Sequence, residues 1–142
     1  MKYDIYISYL AKKTVLQLPI IPEEMPSLSK SSKNEEFETF DNGIFNIISD
    51  TGLMEFTLEC WLPGKDKSYS FQRVKNVNPY TYIDLINKSM INKKAIRVVI
   101  VRGDGTFVVN NTFSVESFEY HEDRMGNFPY SISFKQWRDY NV

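Results

Sequence analysis

The chain has one cysteine and one histidine in 142 residues. A lone Cys60 forms no internal disulfide, and its place in an alternating apolar run predicts a small, buried side chain in a protein made in a reducing compartment. One histidine and one cysteine exclude any multi-His/Cys zinc pattern. Charge of a single sign is also lacking: 17 Lys+Arg against 18 Asp+Glu leave a formal net charge of -1. Phosphate backbones and anionic lipid therefore find no general attraction, which makes nucleic acid and membrane surfaces poor partners. Long hydrophobic runs are missing as well. No window approaches the roughly 20 apolar residues of a spanning helix, and Met1-Lys-Tyr-Asp-Ile-Tyr-Ile has no apolar core of signal-peptide length. The expectation is a protein that is synthesised and kept soluble, unless another machine carries it out. No internal repeat or low-complexity segment interrupts the chain.

What is present is the composition of a folded globule, 42% hydrophobic and 15% aromatic, at a length that fits one domain over residues 1–142. The clearest organisation is at the C-terminal end. Tyr130, Ile132 and Phe134 alternate with Ser131, Ser133 and Lys135, the period of a strand buried on one face. Before it, Phe113 and Val115 lie on one parity and Phe118 and Tyr120 on the other, so a β-bulge is expected near Ser117. Asp123 to Pro129 is the turn that joins the two arms into a long bent hairpin.

From the N-terminus, Tyr3, Ile5, Ile7 and Tyr9 predict a first strand, with Ala11-Lys12-Lys13 as its turn and Val15 to Ile20 as its partner. Pro19 and Pro22 close that hairpin. Residues Glu23 to Gly43 are polar, with Met25, Leu28, Phe37 and Phe40 as scattered apolar anchors, and read as a long arm or loop. Segments of that length without structure usually work as binding segments or remain disordered, so the arm is expected to contact a partner, with a mobile loop as the alternative. Ile44 to Ile48 and the alternating run Met54, Phe56, Leu58, Cys60 and Leu62 predict a second hairpin across the Ser49-Asp50-Thr51-Gly52 turn. A polar excursion from Lys65 to Asn76 carries Tyr69, Phe71 and Val74. Asn78-Pro79 has the form of an N-cap with proline at the first helical position, and Tyr82, Ile83, Ile86 and Met90 predict one apolar helical face ending at Asn92-Lys93-Lys94. Ala95 to Val101, apolar on both parities apart from Arg97, predicts a strand covered on two sides. Gly103-Asp104-Gly105 turns the chain back, and Asn110-Asn111 is the expected kink before the last hairpin. About seven strands and one helix make the class mainly β (β-rich α+β). The architecture expected is a small antiparallel barrel or sandwich, with the helix plugging an open end or lying across one face.

Chemistry is sparse. His121 lies between Tyr120 and Glu122 at a strand end, and a general base needs partners that the sequence does not place around it. Glu23-Glu24 and Glu35-Glu36-Glu38 read as solvated faces. Asp41-Asn42-Gly43 and Asp50-Thr51-Gly52 lack the spacing of a calcium loop, and Gly103-Asp104-Gly105 lacks the helix that follows a phosphate loop. Neither a catalytic set nor a metal or cofactor site is expected. The aromatic residues are the oddity. Trp61, Trp137 and Tyr140 lie on parities opposite to the core-facing residues of their strands, and Tyr80 stands at the helix start. With Phe37 and Phe40 in the arm, these six are the candidate protein-contact residues, since outward rings on a β-domain mark contacts. The competing reading is that a second layer buries them.

The order of these elements carries a resemblance. Leu18-Pro19, Trp61-Leu62-Pro63, Asn78-Pro79-Tyr80 before Ala95-Ile-Arg-Val-Val-Ile, and the closing pair Phe113-Ser-Val-Glu-Ser-Phe-Glu-Tyr and Tyr130-Ser-Ile-Ser-Phe-Lys-Gln-Trp-Arg-Asp-Tyr resemble the N-terminal domain of the XkdP-like, LysM-containing baseplate proteins of phage tails and contractile bacteriocins. The resemblance covers nearly the whole chain, most closely Asn78 to Tyr140 and least Glu23 to Gly43. It implies a structural, non-enzymatic subunit at the junction of tail tube and central hub. Its partners would be tail tube, hub or spike and baseplate wedge proteins, and copies of itself in a ring. Peptidoglycan binding is not expected, because the sequence stops at Val142 where that family continues into a LysM module. Two other classes fit the residues less fully: a carbohydrate- or cell-surface-binding module using the outward rings, and a small enzyme or toxin acting through His121 with Glu119 or Glu122.

Overall fold

In the computed structural model of the chain, the described residues are 2–9, 15–49 and 51–138. They form eight strands and one helix. β1 (Tyr3–Tyr9) and β2 (Val15–Gln17) open the chain, followed by β3 (Glu35–Thr39), β4 (Gly43–Ile47), β5 (Glu55–Leu62), α1 (Pro79–Ile91), β6 (Ile96–Arg102), β7 (Phe107–Tyr120) and β8 (Phe128–Gln136). Six strands make one antiparallel sheet in the order β2-β1-β6-β7-β8-β5, and β3 and β4 pair only with each other. The fold is mainly β, a β-rich α+β arrangement of two antiparallel sheets. Of the two architectures expected, the closed barrel is not formed: the six-stranded sheet ends at β2 and β5, leaving a layered, sandwich-like body.

One face of that sheet holds the core. Ile5 and Ile7, Ile96, Val98 and Ile100, Val109 and Phe113, Ile132 and Phe134, and Phe56 and Leu58 line it from five strands. The strict period of two puts each of these side chains on the same side. The rings of Phe56, Phe113 and Phe134 meet at centroid distances of 5.0–6.0 Å in tilted and edge-on packing, the geometry that aromatic quadrupoles favour. α1 lies across this face. Asn78 caps it by accepting from the Tyr80 amide at 3.1 Å, and Pro79 occupies the first turn. The helix buries Tyr82, Ile83, Leu85, Ile86 and Ser89. It is tied down through hydroxyls at both levels: Tyr9 donates to the Leu85 carbonyl at 2.8 Å and Tyr82 to the Gln17 carbonyl at 2.7 Å. Met90, expected on the buried face, is 39% exposed. Ser89 takes the inward position instead and donates to the Lys94 carbonyl at 2.7 Å.

The bulge expected near Ser117 is there. Val115 pairs with Phe134 and Ser117 with Ser133, so Glu116 is the extra residue and Val115 and Phe118 both pack toward the core. The kink expected at Asn110-Asn111 is not: β7 runs unbroken for 14 residues, and Asn110 stays in register with Val99 while its side chain accepts from Arg97 at 3.0 Å. The irregularity falls instead at Val108, because Ile100 pairs with Val109 and Val101 with Phe107.

Two further expectations are corrected. Ile44 to Ile48 does not form a hairpin with the Met54 to Leu62 run. β4 turns back on β3, with Phe37 opposite Phe45 and Thr39 opposite Gly43, and β5 pairs with β8 along its whole length. The local turn wins because Asp41-Asn42-Gly43 closes it cheaply. Gly43 takes φ +85, a left-handed conformation that suits a residue without Cβ, and Thr39 Oγ1 accepts from the Asn42 amide and donates to the Gly43 carbonyl. The arm expected over Glu23 to Gly43 thus contains a strand of its own. β6 is also covered less than expected. Ile96, Val98 and Ile100 are buried, whereas Val99 and Val101 on the far face are only partly so, because no second layer lies over them among the described residues. The turn expected at Ala11-Lys12-Lys13 lies outside the described residues.

Candidate functional site

The β3–β4 hairpin is the most unusual surface of the molecule. All ten of its residues except Thr39 are exposed, and none belongs to the core. Its register places Phe37, Phe45 and Ile47 on one side, with the two rings stacked at 5.5 Å. Phe40 at the tip is fully exposed, and Ile44 and Ile48 are exposed at 63% and 83%. A two-stranded hairpin with no packing partner has marginal stability in water, and a run of exposed apolar side chains on unpaired strand edges invites association. Sequence reasoning found Phe37 and Phe40 here but missed Phe45, Ile47 and Ile48, because it assigned Ile44 to Ile48 to the body of the sheet.

The other expected contact residues are scattered. Trp61 projects from the far face of β5 but is crowded by two rings of the 65–76 excursion, Tyr69 at 5.3 Å and Phe71 at 6.0 Å, both edge-on. Tyr69 is fixed by Asn127, which donates to its hydroxyl at 2.8 Å while accepting from the Gly64 amide at 3.1 Å. The outermost ring of the cluster is therefore Phe71, 59% exposed. Tyr80 is half exposed and packs edge-on against Phe128 at 5.4 Å. Trp137 is 38% exposed, just past β8, where Thr112 receives its amide and donates to its carbonyl. Tyr140 lies outside the described residues. The structure brings Phe37 together with Phe45 rather than with Trp61, Tyr80 or Trp137.

The groups considered for chemistry do not converge. His121 is exposed at the end of β7, and no hydrogen bond to its ring is formed among the described residues. No group of three or more His, Cys, Asp or Glu side chains gathers among the described residues as a metal site would require. Burial pushes the Cys60 thiol up to about 11, away from the range of an activated nucleophile, with the Trp61 backbone and the neighbouring Tyr130 partly offsetting it, and it donates to the Ile20 carbonyl at 3.5 Å. Tyr130, fully enclosed beside it, is raised further by burial, and its hydroxyl forms no hydrogen bond.

The free side of β5 forms a second surface. Residues 21–27 run alongside it and leave a groove of about 570 Å³ whose floor includes Thr57, Glu59 and Trp61. At one end Ser29 makes a reciprocal bridge to Glu55, each amide donating to the other carbonyl at 2.8 Å. A second groove, of about 510 Å³, continues past Ser27 toward Glu116 and Ser133.

The sequence matches no family model and no curated protein. In fold, the chain is similar to a chain of the cryo-EM structure of the anti-feeding prophage (AFP) baseplate, 6-fold symmetrised. The TM-score is 0.51 and the identity 11%, over 96% of this chain and 89% of that chain. An alignment with the SPP1 tail tube, solved by solid-state NMR and cryo-EM, has a TM-score of 0.44 at 18% identity, over 94% of this chain and 72% of that one. The likeness to the baseplate chain is one of fold.

Proposed function

We propose that the chain is a structural subunit of a phage tail or phage-tail-like contractile particle, without enzymatic activity, placed in the baseplate where the tail tube meets the central hub. The observation that carries this reading is the β3–β4 hairpin, which exposes Phe37, Phe40, Ile44, Phe45, Ile47 and Ile48, none of them packed on the core of the described residues. Such a surface fits a protein whose working state is an assembly. The fold shared with a baseplate chain over nearly its whole length supports the same reading. The XkdP-like resemblance and the tail tube and hub neighbours belong to this proposal.

A glycan-binding module is the weaker reading. Sugar platforms need an open ring face, and Trp61, the best candidate, is crowded by Tyr69 and Phe71. The test is to purify the particles made when this gene is expressed with its neighbours. Recovery of the chain in stoichiometric amounts, located by cryo-EM next to the tube end, is expected. Intact particles that lack the chain would overturn the proposal.

A further inference from the structure

The outer edge of β5 is an unfilled place for one more strand. Met54 faces β8, since Gln136 donates to its carbonyl at 2.7 Å, and Glu55 faces the other way, toward Ser29. The β5–β8 register has no shift, so the alternation of an antiparallel ladder turns the backbone N–H and C=O of Thr57 and Glu59 outward as well. Among the described residues these four groups meet no backbone partner. They open into the groove beside residues 21–27. The Ser29–Glu55 bridge demonstrates that this edge accepts an antiparallel segment and fixes the register in which it does so.

The chain's own strap does not fill the place. In the bridge's register Ser27 would face Thr57 and Met25 would face Glu59, with Pro22 and Pro26 at positions that need no amide. Met25 instead packs toward the core. Glu23 and Glu24 also line the groove opposite Glu59, and its lining includes no lysine or arginine. Three carboxylates around one groove disfavour closure of the strap and favour a cationic occupant.

We propose that the β5 edge binds an extended, basic segment of another protein as an added antiparallel strand. Thr57 and Glu59 would supply the main-chain hydrogen bonds, and Glu23, Glu24 and Glu59 the counter-charges. This is strand addition, in which backbone pairing gives affinity and flanking side chains give selectivity. It deepens the reading of the chain as an assembly subunit but is tested on the isolated subunit, so its failure would leave the particle experiment untouched.

The experiment measures binding by fluorescence anisotropy at low salt. Three probes are used: a short peptide alternating Lys and Val, its Glu/Val counterpart, and the Lys/Val peptide N-methylated at every second residue. The Lys/Val peptide is expected to bind, and the other two to bind at least about 10-fold more weakly. Glu24→Lys with Glu59→Lys should weaken the basic peptide about 10-fold or more, and Thr57→Pro, which removes an outward amide but no ladder bond, should do the same. Equal binding of the basic and acidic peptides overturns the proposal, as does indifference to N-methylation. Indifference to Glu24→Lys with Glu59→Lys, which leaves the ladder intact even if Thr57→Pro unfolds, overturns it too. So does self-association of the free subunit through this edge, which would assign it to a second copy.

Discussion

If the β3–β4 hairpin is held by neighbours rather than by its own body, then Phe37→Ser together with Phe45→Ser should separate folding from assembly. The two rings are exposed at 45% and 44%. With a phenylalanine side chain near 200 Å², each leaves about 90 Å² for a partner to cover, and at ~25 cal/mol per Å² the pair carries about 4–5 kcal/mol when covered completely. A partner that covers half of this surface loses about 2 kcal/mol, so the association constant should fall by between roughly 30-fold and 2,000-fold. The body should not notice: no hairpin residue belongs to the core, so the melting temperature of the isolated subunit should move by less than about 2 °C. Circular dichroism melts of wild type and variant give the first number, and particle yield in a complementation assay, counted by electron microscopy, gives the second. A variant that folds normally and supports normal particle yield would refute the reasoning. A variant that fails to fold would refute it differently, by showing that the hairpin belongs to the body.

Three other outcomes follow from the geometry. Asn78→Ala removes the acceptor for the Tyr80 amide and should cost about 1 kcal/mol, read as a melting temperature lower by about 3–4 °C; no change would mean that the cap carries no stability. Tyr130→Phe deletes a buried hydroxyl that has no hydrogen bond, so urea unfolding should show the variant equal to wild type or up to about 1 kcal/mol more stable, and a clear loss would reveal a hidden partner. Cys60 is raised from 9.0 to about 11 by burial. Between those values the unfolded thiol ionises while the folded one keeps its proton, so stability is fully present below pH 9 and falls as the pH rises toward 11. Cys60→Ala should flatten that part of the urea midpoint's pH profile, and an unchanged slope would count against the cause.

Much of the body was legible because its signals are local. The alternation of Tyr130, Ile132 and Phe134, the change of parity around Ser117 and the Asn78-Pro79 cap each follow from spacing alone, and each appears as expected. Pairing was harder, because it depends on what lies far along the chain. Ile44 to Ile48 and the Met54 run are neighbours in sequence with a turn signal between them, yet β5 finds its complement in β8. The cross-strand Phe37–Phe45 pair was the missed signal: two phenylalanines placed symmetrically about Asp41, the centre of the 40–42 loop, favour a hairpin within the arm. Val99 and Val101 misled for a different reason. Apolar residues on both parities usually mean two covered faces, and here Val99 and Val101 on the second face are only partly buried. The candidate contact residues were legible as types only. Whether Trp61 stands free depended on where Tyr69 and Phe71 return, which no spacing rule determines.

The strand order also dictates when the molecule can become itself. β1 and β3 can pair early with β2 and β4, but the second edge of β1 waits for β6 and the whole of β5 for β8, so β5 leaves the ribosome unpaired. Leu62 precedes its ladder partner Phe128 by nearly half the polypeptide, a delay of roughly 3–15 s at roughly 5–20 residues per second. Ribosome-stalled chains ending before Phe128 should be cut rapidly by a protease, while those that extend beyond Gln136 and clear the exit tunnel should resist. The exposed edges of the nascent chain are thus a task for chaperones, and only the last strand to emerge relieves them of it.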